Sequence, residues 1–147
     1  MIECENWQTI VSNNNRLTSY RQFKSVYKHK LYVNTLSNVK LRRALARLRT
    51  SSHSLCIETG RHIGTPQHER ICIFCKDNST VEVIENEFHF VCCCSLYTDL
   101  RLKFLPDNII KHPSQENFNN LMSTVDTTEV RNLAIFVNEA FKIRANK

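Results

Sequence analysis

The chain has 147 residues, 41% of them hydrophobic and 23% charged, with a net charge of +6. A chain of this length can bury roughly two thirds of its unfolded surface, so one domain core does not depend wholly on metals or disulfides. No apolar run reaches the roughly 18 residues of a membrane span, and the opening MIECENWQTI has no apolar signal-peptide core. No membrane partner is therefore expected, and the expected location is intracellular, in nucleus or cytoplasm. In such a reducing compartment the seven cysteines read as metal ligands or free thiols ahead of disulfides. The charge is unevenly placed. Residues 16–70 carry twelve Lys/Arg against only Glu58 and Glu69, whereas residues 71–147 carry eight basic and ten acidic side chains. A basic block of this kind raises the potential near polyanions, although a solvated face has the same composition.

Gly60, Gly64 and Pro66 mark one break in the chain, and Pro106 and Pro113 bracket another. Three segments follow, expected to pack as one unit: a basic helical segment 1–66, a cysteine-bearing segment 67–105 and a C-terminal helical segment 106–147. In the first, Tyr20, Phe23 and Tyr27 recur at helical spacing. Leu41, Leu45 and Leu48 form an apolar stripe with Ala44, while Arg42, Arg43, Arg47 and Arg49 sit at other angles. Ser37 or Asn38 is placed to cap that helix. In the middle segment, ICIFC and VEVIENEFHFV alternate apolar and polar residues, which predicts a small β-hairpin joined near KDNST. SLYTDLRLKFL returns to helical spacing through Leu96, Leu100 and Phe104. In the last segment Asp126 and Glu129 form a capping-box pattern. Val130, Leu133, Ala134, Val137, Ala140 and Phe141 then share one helical face. The expected fold is mainly α, a helical domain with a small β-hairpin insert that carries the cysteines.

That insert holds the chemistry. A structural zinc site takes four thiolate or imidazole ligands in a tetrahedron, commonly with one pair spaced C-x-x-C. Cys72 and Cys75 supply the pair, and His89 follows fourteen residues after Cys75. The fourth ligand falls in the triplet Cys92, Cys93, Cys94. If the segment is a strand, Cys93 shares a face with His89 and Cys92 does not. A cysteine at the start of the following helix has its thiolate stabilised, which favours Cys94. Spacing leaves Cys93 and Cys94 both open. The alternatives to a metal site are buried thiols or a redox C-x-x-C pair.

The motifs LARLRTSSHSLCIETGR, ERICIFC and VIENEFHFVCCCSLYTDLR occur in that order. Together with the N-terminal WQTIVSNNNRLTSYRQFKSVYKHKLYV and the C-terminal LAIFVNEAFKIR, they resemble the C-terminal region of LINE-like, non-LTR retrotransposon reverse transcriptases. That region carries a Cys-Cys-His-Cys zinc knuckle beyond the polymerase. The resemblance places the fourth ligand five residues after His89 and three before Tyr97, at Cys94. It therefore implies a structural Zn2+ held by Cys72, Cys75, His89 and Cys94. Ser95 stands where the family has proline, and Ile84 and Asn86 stand where it often has Val and Asp. Glu85 and Glu87 of its acidic signature remain.

The resemblance also implies a role: binding RNA or DNA beside a retrotransposon polymerase. The sequence has no adjacent Asp-Asp pair of the kind a polymerase palm uses to hold two metal ions, no Gly-rich phosphate loop and no nucleophile signature, so no enzyme is expected. Candidate nucleic-acid contacts are Lys40, Arg42, Arg43, Arg47 and Arg49, then Ser51, Ser52 and His53, with Arg61 nearby, at low sequence specificity. Phe90 and Tyr97 read as core packing ahead of base stacking. Two rival readings are a protein-interaction or scaffold domain docking through residues 126–145, and a degenerate transposon remnant with no present role.

Overall fold

The structure, a computed structural model, describes residues 2–25 and 30–147. Its helices are α1 (Ile2–Asn13), α2 (Thr18–Phe23), α3 (Leu31–Thr35), α4 (Val39–Arg49), α5 (Cys56–His62), α6 (Ile73–Ser79), α7 (Thr98–Phe104), α8 (Asp107–Lys111), α9 (Gln115–Met122) and α10 (Thr127–Ala145). The expected Tyr20–Phe23–Tyr27 stripe runs out of α2 at Phe23, and Tyr27 lies outside the described residues.

The fold is built around α10, which packs against α3, α4 and α7. Asp126 caps it by accepting the Glu129 backbone N–H at 2.9 Å. Only half of the expected capping box forms, because the Glu129 carboxylate accepts the Thr124 hydroxyl at 2.6 Å. Val130, Leu133, Ala134, Val137 and Ala140 are buried as their spacing predicts, and Phe136 is buried with them. Asn38 caps α4 through its side-chain oxygen, which accepts from the N–H groups of Lys40 and Leu41 at 2.9 and 3.3 Å. Leu45 and Leu48 then face the same core as the α10 stripe. That core draws residues from each of the three segments, among them Phe23, Leu48, Leu55, Phe90, Tyr97, Phe118 and Phe136.

The expected β-hairpin does not form among the described residues. Pairing near the cysteines is reduced to one isolated antiparallel bridge, Ile71 with Ile84. It is flanked by Cys72 N–H to Val83 O (2.8 Å) and Glu85 N–H to Arg70 O (2.9 Å). Beyond the bridge, Cys72 becomes the N-cap of α6, and His89–Cys93 winds into a wide turn of the π type. The alternation misleads because two of its acidic members point inward while Glu82 stays exposed. Glu85 and Glu87 are only 1% and 3% exposed, while Ile73 and Val81 are 53% exposed. The two carboxylates are tolerated inside because each is hydrogen-bonded, as buried charge requires.

Of the two glycines, only Gly64 makes the expected break, at φ +77° just past α5. Gly60 lies within α5, where a Cβ would stand 2.6 Å from the Arg70 side chain. Arg70 uses that space to donate to the carbonyls of Thr65 and Ile57 at 2.9 and 3.1 Å.

Candidate metal centre and basic groove

Cys72, Cys75, His89 and Cys94 are all buried, and their ligand atoms lie within 4.8 Å of one another. The C-x-x-C pair converges because Cys72 caps α6 and Cys75 sits in its first turn. His89 is fixed by its backbone N–H, which donates to the Asn86 side chain at 2.9 Å. The step from His89 to Cys94 is closed by the Cys94 N–H donating to the His89 carbonyl at 2.8 Å, an i to i+5 bond. That bond decides between Cys93 and Cys94. The bond draws the backbone of Cys94 back over the turn, whose π segment ends at Cys93, and the Cys94 thiol lies in the cluster with Cys72, Cys75 and His89. Cys93 is exposed and Cys92 is buried outside the cluster. The strand argument for Cys93 loses its premise.

The spacing between ligand atoms is informative. Cys72 Sγ and Cys75 Sγ each lie 3.8 Å from Cys94 Sγ, and Cys75 Sγ lies 3.4 Å from His89 Nε2. A tetrahedron with metal–sulfur bonds of about 2.3 Å and a metal–nitrogen bond of about 2.0 Å has edges of roughly 3.8 and 3.5 Å. The group can therefore hold a metal ion at its centre. Its cysteines are free thiols in the structure.

The electrostatics of the thiols point the same way. A hydrogen bond from Cys94, opposed by burial and reinforced by His89, pulls the Cys72 thiol down to about 3. The same contact, with burial, pushes the Cys94 thiol far up. A bound metal ion requires its cysteine ligands deprotonated, and closely spaced thiols of this kind supply them. Cys92 follows different chemistry: burial pushes its thiol up to about 12, with a further contribution from Cys93.

Arg101 of α7 was not singled out by sequence reasoning. It is buried, and its Nε and Nη2 donate to the carbonyls of Val91 and Cys94, both at 2.8 Å. It braces the ligand turn and sets a buried positive charge beside the thiols. The only sequence signal was a basic residue inside an apolar helical pattern.

Glu85 and Glu87 connect this centre to the helices. Arg144 of α10 donates to Glu85 Oε2 at 3.0 Å, with its second nitrogen 2.9 Å from Oε1. The N–H of Cys56, at the start of α5, donates to the same carboxylate at 2.7 Å. Glu87 accepts from Ser19 and Ser51 hydroxyls, both at 2.9 Å, and lies 3.0 Å from His53 Nε2. Burial raises the Glu87 carboxyl, but these hydrogen bonds, led by His53, hold it below the ordinary carboxylate range.

The basic candidates divide into two groups. Lys40, Arg43 and Arg47 are exposed on α4 and, with Lys142 of α10, line a groove of about 590 Å3. Ala44, Phe141 and Ala145 contribute its apolar lining, and Ser52, Ser54 and Asn138 its neutral polar lining. The remaining candidates are engaged within the protein. Arg42 donates to the carbonyls of Val33 and Leu36 at 3.3 and 3.2 Å, at the end of α3. Arg49 is 3% exposed, lies over the rings of Phe23 and Tyr32 at 4.7 and 5.4 Å, and donates to the Met122 carbonyl. Ser51 is buried on Glu87 at φ 55°. The His53 side chain is only 1% exposed, so its imidazole turns inward while the residue still borders the groove. Arg61 pairs with Glu58 at 2.9 Å. Phe90 and Tyr97 are buried against each other, with ring centroids 4.9 Å apart.

No protein-family model, curated protein or solved structure matches the chain. No helix among the described residues is long and apolar enough to cross a membrane.

Proposed function

We propose that the chain is a zinc-stabilised, non-catalytic module that binds RNA or DNA with low sequence specificity. By its sequence resemblance, it derives from the C-terminal tail of a retrotransposon reverse transcriptase and works beside such a polymerase. Zinc is the metal of choice for a buried Cys3His tetrahedron. With four protein ligands it has no open position, so its role is structural.

The observation that carries the reading is the basic groove and its link to the metal centre. Lys40, Arg43 and Arg47 present three exposed cations on one helix. The loop beside them, residues 51–54, is tied down through Ser51 and His53 to Glu87, two residues before the ligand His89. A metal that orders His89 and Cys94 therefore also orders one side of the groove. The rival docking reading has less support, because the apolar face of α10 is already buried in the core.

The test is fluorescence anisotropy with labelled single- and double-stranded oligonucleotides at low salt, with and without chelator. Binding should weaken steeply with salt, by a log–log slope of roughly 0.7 to 0.9 per phosphate contact. It should also fall on chelation. No binding to any probe at low salt would refute the proposal.

A further inference from the structure

Building on the nucleic-acid reading, we infer that the α4–α10 groove takes an unpaired strand, RNA or single-stranded DNA, with a base seated on its apolar lining, and not a duplex. Lys40, Arg43 and Arg47 fall at i, i+3 and i+7, one side of α4 spanning about 10 Å of helix rise. They supply a cationic wall of the length of a few phosphates. On the α10 side the one cation, Lys142, is held by Glu139 at 2.8 Å, and Asn138 adds a neutral amide. The groove is therefore charged on one side and nearly neutral on the other.

Between them lie Ala44, Phe141 and Ala145. Phe141 is rigidly held, its ring stacked on the buried Phe90 at a centroid distance of 4.6 Å and on the His53 imidazole at 6.2 Å, so with Ala44 and Ala145 it offers an apolar border against which a base can pack. A surface that is only a phosphate site has no use for an apolar border. An unpaired nucleotide matches all three parts: phosphate to the cations, base to the apolar border, base edge to Ser52, Ser54 and Asn138. A duplex matches only the first. Its bases are stacked inside, and its major groove admits a helix that stands free. Here α4 is packed along α10, and its cations open onto a concavity.

The experiment compares three probes of equal length at one salt concentration on the zinc-loaded chain: a mixed-sequence single strand, its duplex, and a single strand of abasic sites. Poly-glutamate serves as a plain polyanion. The expected result is that the intact strand binds at least tenfold tighter than both the duplex and the abasic strand, and that Arg43→Ala weakens it. A duplex bound as tightly as the single strand, or an abasic strand bound as tightly as the intact one, overturns the inference while leaving nucleic-acid binding in place. No binding to any oligonucleotide, or equal binding to poly-glutamate, overturns both.

Discussion

Cys92, Cys93 and Cys94 are neighbours with three different environments: a buried thiol, an exposed thiol and a member of the buried Cys3His group that can hold a metal ion. Cys94→Ser should abolish stoichiometric metal binding, whereas Cys93→Ser should leave one metal per chain, as read by elemental analysis of the purified variants. Cys92→Ser should keep the metal and lose stability, because it places a hydroxyl in an apolar site. The arginines divide in the same way. Arg43 faces the groove, and Arg49 lies under two aromatic rings with its guanidinium out of solvent. Arg43→Ala is expected to lower the salt slope of single-strand binding by about 0.7, one lost phosphate contact. Arg49→Ala is expected to leave the slope unchanged and to register only as a loss of stability. Composition alone cannot separate these two residues. Both are arginines of one helix, six positions apart, and burial is what distinguishes them.

At the scale of elements, the acidic pair before the histidine acts as a joint. Glu85 holds α10 and the start of α5, and Glu87 holds α2 and the loop after α4. Glu87→Gln should cost about 1–3 kcal/mol, the range for weakening a buried, charge-assisted network, measured by denaturant unfolding. The pH dependence has a definite sign. The folded Glu87 carboxyl lies below its ordinary value of 4.5. Its stabilisation is therefore complete above that value and is lost as pH falls through the lower, folded one. The difference in stability between parent and Glu87→Gln should shrink on acidification.

The helices were largely legible in the sequence. The α4 and α10 stripes, Asn38 as one of two caps and Asp126 as another follow from spacing and side-chain chemistry. The knuckle's backbone was not. Alternation in VEVIENEFHFV follows from buried carboxylates and a metal-ligand turn as well as from a strand, and propensity does not separate these origins. The ligand set was legible only with the resemblance, since the backbone path from His89 to Cys94 has no residue signature. Arg101 and the roles of Glu85 and Glu87 depend on contacts between distant segments, which one sequence does not display.

In the whole molecule, the Cys3His group and the helical core are continuous. Cys72, Cys75 and Cys94 belong to the same buried set as Leu48, Phe90, Phe118 and Phe136. Chelation should therefore unfold residues 70–100 and also lower the stability of the helical core. The loss of far-UV helical signal and the loss of metal should follow one transition, on a free-energy scale of about 10–16 kcal/mol for structural zinc at neutral pH. Separate transitions would mean that the knuckle is an appendage and does not order the groove. The central claim, a structural zinc bound by three thiolates and one imidazole, is tested most directly by X-ray absorption at the zinc edge of the purified chain. The expected result is one zinc per chain with three sulfurs at about 2.3 Å and one nitrogen at about 2.0 Å. A shell of only oxygen and nitrogen, or no zinc in a folded chain, would contradict it.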